Sequence, residues 1–500
     1  MKKETHMNAL TNRPNVLLIL ADQHRQDCLG CYGNAEIRTP RLDALAGEGV
    51  LYSNHYTVYP VCTPSRYSML SGQYAHQHNA WTNESTLPSG TPTFPSAMRA
   101  AGYRTAAVGK MHFTPAYQDV GFDTMVLCEQ NGHGRYEDDY HAWLMEEGLA
   151  DRLDLTDQTS WRDSASESYF QRFGAFPSDL DAAHHSTSWI TRQALRQMER
   201  WDPAGGNLLM VGYVKPHHPF DPPAPYSRLY DPGHLTPLPG YTGQIPARDL
   251  ENGPGFFDYQ GLTLSRLQEV MALYYGSITQ IDDGVGELLD FLRQRGFYDN
   301  TMIIYTSDHG EYMGYHHMLL KGNYLYDPLA RIPLIIKYPS FCNQPGKKDE
   351  RLFENIDLSA EILACCGIEQ PSGMCGQTML FSDSGRPYVF SEGQYGTDRR
   401  PCIGYMIRSA DYKLLVHGSF QRSLFFSLRD DPDELTDLSG DPSYSEPLSL
   451  HRQELIQRVL FEATGKNYCD PEAPQRLSQS VQDARAAGLQ GFLSRRFSPF

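Results

Sequence analysis

The chain has 500 residues, 40% apolar and 21% charged, which suits one large globular domain with a smaller companion and excludes a disordered or fibrous chain. A net charge of -17 and a pI near 5.5 disfavour non-specific nucleic-acid binding and give no long-range pull on an anion, so any anion must be held by local groups. Ten cysteines without the dense spacing of a disulfide scaffold fit a reducing compartment, and Cys28 and Cys31 read as packing residues rather than a redox pair.

At the N-terminus, Met1 to His6 leads only to the short apolar stretch 16–21, and no apolar run reaches the length of a membrane span. Neither a signal peptide nor a membrane segment is expected, and the location read from this is cytoplasmic. Short β-rich runs follow at 16–21, 104–108, 208–214, 302–306 and 332–336, with helical patterns between them. That rhythm predicts an α/β fold with a large, mostly parallel central sheet flanked by helices. A long helix is predicted over 264–293, because Leu267, Val270, Met271, Tyr274, Ile278, Ile281, Val285, Leu288 and Leu292 recur at helical spacing. Asp282 and Asp283 are expected on its solvated face.

After residue 385 the runs 387–390, 404–409, 412–417 and 423–428 are separated by turn residues, as in a small antiparallel sheet. Residues 429–435 read as a polar turn entering a helix, and 450–463 as helical. The expected domains are therefore a catalytic α/β unit over 1–384 and an α+β unit with a tail over 385–500. Residues 130–168 and 222–261, rich in Gly, Pro, Asp and Tyr, read as insertions that form substrate walls. Residues 469–500 read as a tail or as an arm on a neighbouring subunit, which leaves a homo-oligomer open.

In open α/β sheets ligands bind beyond the carboxyl ends of strands, so the polar residues after these runs are the ones to inspect. Asp22-Gln23 follows the first run, Gly109-Lys110-Met111-His112 the second, Lys215-Pro216-His217-His218 the third and Ser307-Asp308-His309-Gly310-Glu311 the fourth. Asp22, Asp308 and the amide oxygen of Gln23 form a candidate hard-cation site that His309 completes through a ring nitrogen. Lys110 and His112 are two apart and share a face if the segment is extended. Cys62-Thr63-Pro64-Ser65-Arg66 follows the turn-like Tyr59-Pro60-Val61. Taken alone, it also fits a structural cysteine at a helix start, with Pro64 in the first turn and Ser65 satisfying free backbone donors.

That pentapeptide resembles the C-x-P-S-R signature of the type I sulfatases, in the alkaline-phosphatase-like superfamily. The resemblance runs from 15–23 through 62–66, 109–112, 215–220 and 306–311 to Lys321-Gly322-Asn323, and the small C-terminal sheet fits it. It implies that a maturation enzyme oxidises Cys62 to formylglycine, whose hydrate supplies a nucleophilic oxygen and a second hydroxyl that later expels the product. It also implies that Arg66 and Lys110 hold this residue, that His112 takes the proton from the second hydroxyl, and that His217 and Lys321 bind sulfate and assist the leaving oxygen. Asp22, Gln23, Cys62, Asp308 and His309 would hold one divalent metal.

Many members carry aspartate at the position of Gln23 and asparagine at that of His309. The changes remove a negative charge and add a nitrogen ligand, so Ca2+ is expected with Mn2+ or Mg2+ as alternatives; imidazole suits manganese better than calcium. The same combination resembles the phosphonate monoester hydrolases of that superfamily. The resemblance thus points to a sulfatase acting on a sulfate monoester of a sugar or aryl alcohol. The alternatives are a phosphonate monoester or phosphodiester hydrolase and an inactive anion-binding protein. Expected partners are a small-molecule or saccharide sulfate ester and the maturation enzyme, with no nucleic acid and no membrane. His218, His316 and His317 are read as substrate contacts or solvated loop residues, and His184-His185 carry no assignment.

Overall fold

The computed structural model describes residues 13–130, 138–153, 165–250, 257–321, 325–342, 344–380, 382, 384–397 and 400–462. Gly322 and Asn323, the 469–500 segment and parts of both insertions lie outside the described residues. Eight strands form the central sheet: β1 (Asn15–Asp22), β2 (Val50–Tyr56), β3 (Arg104–Gly109), β4 (Thr124–Leu127), β5 (Asn207–Pro216), β6 (Thr301–Ser307), β7 (Leu334–Lys337) and β8 (Lys347–Glu354). Their order is β4-β3-β5-β1-β6-β7-β2-β8. All pairs are parallel except those of β7, which runs antiparallel to both β6 and β2. The sheet is thus mixed, and β2, β4 and β8 are strands that the apolar runs do not reveal. β4 is short, while β2 and β8 carry polar residues at partly covered positions.

The β1 run is continuously apolar because both of its faces are buried. Val16, Leu18 and Leu20 join the layer containing Leu70, Met98 and Ile362, whereas Leu17, Ile19 and Ala21 join Leu42, Ile190 and Leu288 on the opposite face. Each fully buried Leu or Ile contributes about 1.5–3 kcal/mol, so the central strands are the least deformable part of the molecule.

The flanking helices include α1 (Pro40–Glu48), α2 (Cys62–Ser71), α3 (Ser186–Met198), α4 (Leu264–Gln294) and α5 (Asp357–Cys365). Among the described residues no helix is long and apolar enough to cross a membrane. In α4, Asp282 departs from the expected solvated face. It is fully buried, and its carboxylate accepts the backbone N–H groups of Arg41 at 3.0 Å and Leu42 at 2.8 Å. These are first-turn donors of α1 with no intrahelical partner, so one helix caps another. Asp283 stays on the solvent side and accepts from Tyr226. Asp282→Ala is expected to cost about 1–3 kcal/mol in denaturant unfolding while leaving kcat per folded molecule unchanged.

The second sheet contains β9 (Val389–Thr397), β10 (Arg400–Arg408), β11 (Tyr412–His417) and β12 (Ser419–Ser427), antiparallel in the order β12-β11-β10-β9. It packs through Phe390, Ile407, Leu414 and Phe425 against Val58, Tyr74 and Ile356, and α6 (Ser445–Ile456) adds Leu448 and Leu455. The predicted helix over 450–463 starts earlier, at Ser445. Glu434, expected in a polar turn, is fully buried: it pairs with Lys413 at 2.8 Å and accepts the Asp327 N–H at 2.8 Å and the Tyr315 hydroxyl at 3.1 Å. The small sheet therefore braces the loop that leads through Lys321.

Candidate active site

The sheet order makes β3, β5, β1 and β6 neighbours, so their carboxyl ends bring Lys110, His217, Asp22, Asp308 and His309 together. Facing them, α2 begins at Cys62. Ser65 does not cap this helix with its side chain. Its hydroxyl donates to the Asp308 carbonyl at 2.6 Å, while Asn83 accepts the Thr63 N–H at 3.1 Å. The helix start is thereby tied to the end of β6.

Cys62 is fully buried, with Sγ 3.0 Å from Lys321 Nζ, 3.2 Å from His309 Nε2 and 3.7 Å from Asp22 Oδ1. Burial pushes its pKa up, but Lys321, Lys110, His309 and His112 outweigh burial and hold the thiol well below its ordinary value. A structural cysteine in an apolar setting shows the reverse, as Cys28 does, its pKa raised mainly by burial.

Arg66 lies behind the carboxylates. Its Nε donates to Asp308 Oδ2 at 2.8 Å, Nη2 to Asp22 Oδ2 at 3.0 Å and Nη1 to the Lys110 carbonyl at 2.5 Å. Its hydrogen bonds thus fix the two acids and the Lys110 backbone rather than the Cys62 side chain. Lys110 Nζ pairs with Asp22 Oδ2 at 2.8 Å and donates to Gln130 at 3.3 Å.

The expected extended segment from Lys110 to His112 is not formed. β3 stops at Gly109, where φ is 90° and a Cβ would meet the Gly212 carbonyl oxygen at 2.1 Å, and His112 itself has φ 58°. Irregular backbone with positive φ at Gly109 and His112, not strand alternation, brings the two side chains to one site. Glu129 holds it by accepting the N–H groups of Met111 and His112 at 3.0 Å. Glu129 is a contributor the sequence reading missed, since it follows the short strand β4, which gave no pattern. Both His112 ring nitrogens lack a hydrogen-bond partner by geometry among the described residues, although the ring lies close enough to Cys62 to help depress its pKa.

His217 Nδ1 is 2.6 Å from the His218 carbonyl. A carbonyl only accepts, so Nδ1 carries the hydrogen and Nε2 presents a lone pair 3.1 Å from Lys321 Nζ. Burial, then the charges of Lys321 and Lys110, hold His217 well below its ordinary pKa. His218 stacks on His217 with ring centroids 4.4 Å apart. Lys215, also at the end of β5, instead pairs with Asp221.

One ligand atom each from Asp22, Cys62, Asp308 and His309 lies within 4.8 Å of the others, and all four residues are buried. Gln23 donates its N–H to Asp308 Oδ1 at 3.1 Å, and its Oε1 accepts from Lys321 at 3.4 Å. Burial and then the Asp22 charge push the Asp308 carboxyl up, whereas for Asp22 burial and Cys62 are outweighed by Lys110, His217 and Arg66, which hold it well below the usual range. Two apposed buried carboxylates, an imidazole nitrogen and an amide oxygen suit a divalent ion, whose charge would relieve this repulsion.

His316, His317, His184 and His185 have other partners than this constellation. His316 is neither solvated nor among the site residues: it is buried between Asp249 at 3.0 Å and the Asp433 carbonyl at 2.8 Å. His317 packs beside Tyr241. His185 is the buried N-cap of α3, and His184 pairs with Asp181.

Comparison with known proteins gives a consistent picture. A family model described as Sulfatase matches residues 14–368, and one described as N-sulphoglucosamine sulphohydrolase, C-terminal, matches residues 314–459. The chain is 31% identical over 490 residues to an arylsulfatase of Clostridium perfringens, covering 92% of this chain and 96% of that protein. It is also 31% identical over 506 residues to a multifunctional alkaline phosphatase superfamily protein of Trinickia caryophylli, covering 90% and 96%. The structure of a phosphonate monoester hydrolase from Silicibacter pomeroyi aligns with a TM-score of 0.73 at 27% identity, covering 89% of this chain and 95% of that one.

Proposed function

This chain belongs to the sulfatase family and is a sulfuric ester hydrolase, and from that premise we propose that it hydrolyses a sulfate monoester of an aryl alcohol or a sugar through a formylglycine derived from Cys62. The observation that carries the reading is the setting of Cys62 at the start of α2, in contact with Lys321 and His309 and beside Asp22 and His112. Hydrated formylglycine supplies an oxygen nucleophile and a second hydroxyl on the same carbon. Asp22, Asp308, His309 and the Gln23 amide oxygen would hold one divalent ion, Ca2+ first, with Mn2+ or Mg2+ as alternatives. Held there, the ion would supply Lewis-acid stabilisation of negative charge and a lowered pKa for the nucleophilic hydroxyl.

The side chains of this chain do the rest. Arg66 bridges Asp22 and Asp308 and keeps their oxygens in register. Lys110, fully buried, and Lys321, partly buried, would set two cations around the sulfate position, where limited access to water strengthens their effect on the transition state. His112, whose ring lies beside Cys62 and helps depress its pKa, is placed to accept a proton beside residue 62. His217 and Lys321 share a hydrogen bond on another side of the site and serve the departing alcohol oxygen.

A second reading, phosphonate monoester or phosphodiester hydrolysis, is favoured by Gln23 and His309 and by the Silicibacter likeness. Lys110 and His112 favour sulfate, since they would set a cation and a base beside the second hydroxyl at residue 62. In a matched series of sulfate monoester, phosphonate monoester and phosphodiester sharing one leaving alcohol, the sulfate ester is expected to show the highest kcat/KM. Faster turnover of either phosphorus ester would replace the first reading with the second. Exhaustive chelation should abolish activity on every member of the series, and a divalent ion should restore it.

A further inference from the structure

Gln23 occupies a position where its side-chain amide can present either of two unlike atoms to the cation site. An oxygen there is a ligand, whereas an NH2 group would be a donor facing a cation. Nothing within Gln23 selects between them, because the two ends of the amide are nearly the same in shape. Selection must come from the neighbours.

The structure assigns that selection to Glu311, which we infer is a positioning residue that fixes the Gln23 amide with its oxygen toward Lys321 and the cation site. Glu311 is fully buried, and its side chain is surrounded by donors. Oε1 accepts the Met313 N–H at 3.1 Å and the Leu320 N–H, and Oε2 accepts Gln23 Nε2. A carboxylate cannot donate, so the Gln23 nitrogen must turn toward it. From the other side Lys321 Nζ, which cannot accept, lies 3.4 Å from Gln23 Oε1. The two constraints are independent and agree.

The Gln23 backbone is held as firmly. Its φ is 63°, in the left-handed region, with its N–H on Asp308 at 3.1 Å and its carbonyl accepting from Tyr274 at 2.7 Å. Glu311 has a further reach. Its bonds to Met313 and Leu320 close the loop immediately before Lys321, so one carboxylate sets both a candidate metal ligand and the start of the segment carrying the site's most connected cation.

This inference rests on the reading of Gln23 as part of the cation site, and a polarity swap tests each separately. In Glu311→Gln, the new amide keeps an oxygen for the two loop N–H groups but turns its NH2 toward Gln23, which must then flip. Binding of Ca2+ and of Mn2+ to the purified protein, followed by calorimetry, is expected to weaken about 10–100-fold. The double variant Gln23→Glu with Glu311→Gln reverses the hydrogen bond at unchanged total charge and again presents an oxygen to the site. Its affinity should return to that of wild type or become tighter, since an oxygen again faces the site and now carries charge.

Thermal unfolding of each variant checks that the loop remains folded, and peptide mass spectrometry checks that all carry the same Cys62 state. Wild-type affinity in Glu311→Gln overturns the inference. So does a loss that the swap fails to repair, since Glu311 would then act through loop packing alone. Wild-type protein that binds neither ion, nor Mg2+, overturns the cation site itself, and the inference with it.

Discussion

Cys62→Ala is expected to fold and to lose at least about 10⁴-fold in kcat, the scale seen when a catalytic nucleophile is removed and the rest of a site is left standing. The fold should survive because α2 is anchored by Ser65 on the Asp308 carbonyl, by Thr63 on Asn83 and by Arg66 on two carboxylates, none of which needs the thiol. Cys62→Ser should be equally inactive in a host whose maturation machinery accepts only cysteine. Peptide mass spectrometry of active wild-type protein should find an aldehyde at residue 62. The low thiol pKa produced by Lys321, Lys110 and His309 against burial would also suit a thiolate nucleophile, so the measurement has a real alternative to reject. Full activity in protein whose Cys62 is entirely unmodified would assign the chemistry to that thiolate.

The parts of the site legible in the sequence were those in which local pattern and topology coincide. Asp22, Lys110, His217 and Asp308 each follow an apolar run that became a central strand, and adjacency of β3, β5, β1 and β6 did the rest. The runs were readable because both sheet faces are buried, which makes such strands continuously apolar. β2 and β8 were not, since their partly covered positions admit polar residues and erase the pattern. Asp282 and Glu434 defeated the reading for a common reason. A carboxylate in a helix or turn pattern looks solvated unless its donors are known, and those donors lie 240 or 241 residues away for Asp282 and 107 or 119 for two of those on Glu434, with Lys413 on a separate strand. The link from Lys110 to His112 failed differently, because strand alternation gave way to an irregular segment set by Gly109, His112 and the distant Glu129.

Lys321→Ala is expected to lower kcat/KM by about 10²–10³-fold, because a partly buried cation aimed at developing charge is among the more costly groups to lose. Lys321 Nζ meets Cys62 at 3.0 Å, His217 at 3.1 Å, His309 at 3.2 Å and Gln23 at 3.4 Å, a set that joins the nucleophile position to the leaving-group side. With its Nδ1 hydrogen on the His218 carbonyl, His217 turns the lone pair of Nε2 toward Lys321 Nζ. Charge on His217 is opposed first by burial and then by Lys321. An anionic ester would offset that repulsion and let the pair protonate the departing alcohol together. His217→Ala should therefore cost about 10²–10⁴-fold on esters of weakly acidic alcohols and much less on activated aryl esters, whose oxygens depart without a proton. Because the two residues act as a unit, the double variant should lose far less than the product of the single losses. A His217→Ala loss that is the same for every leaving group would make the imidazole a sulfate-binding or packing group. Multiplicative single losses would mean that Lys321 serves the sulfate oxygens independently of His217.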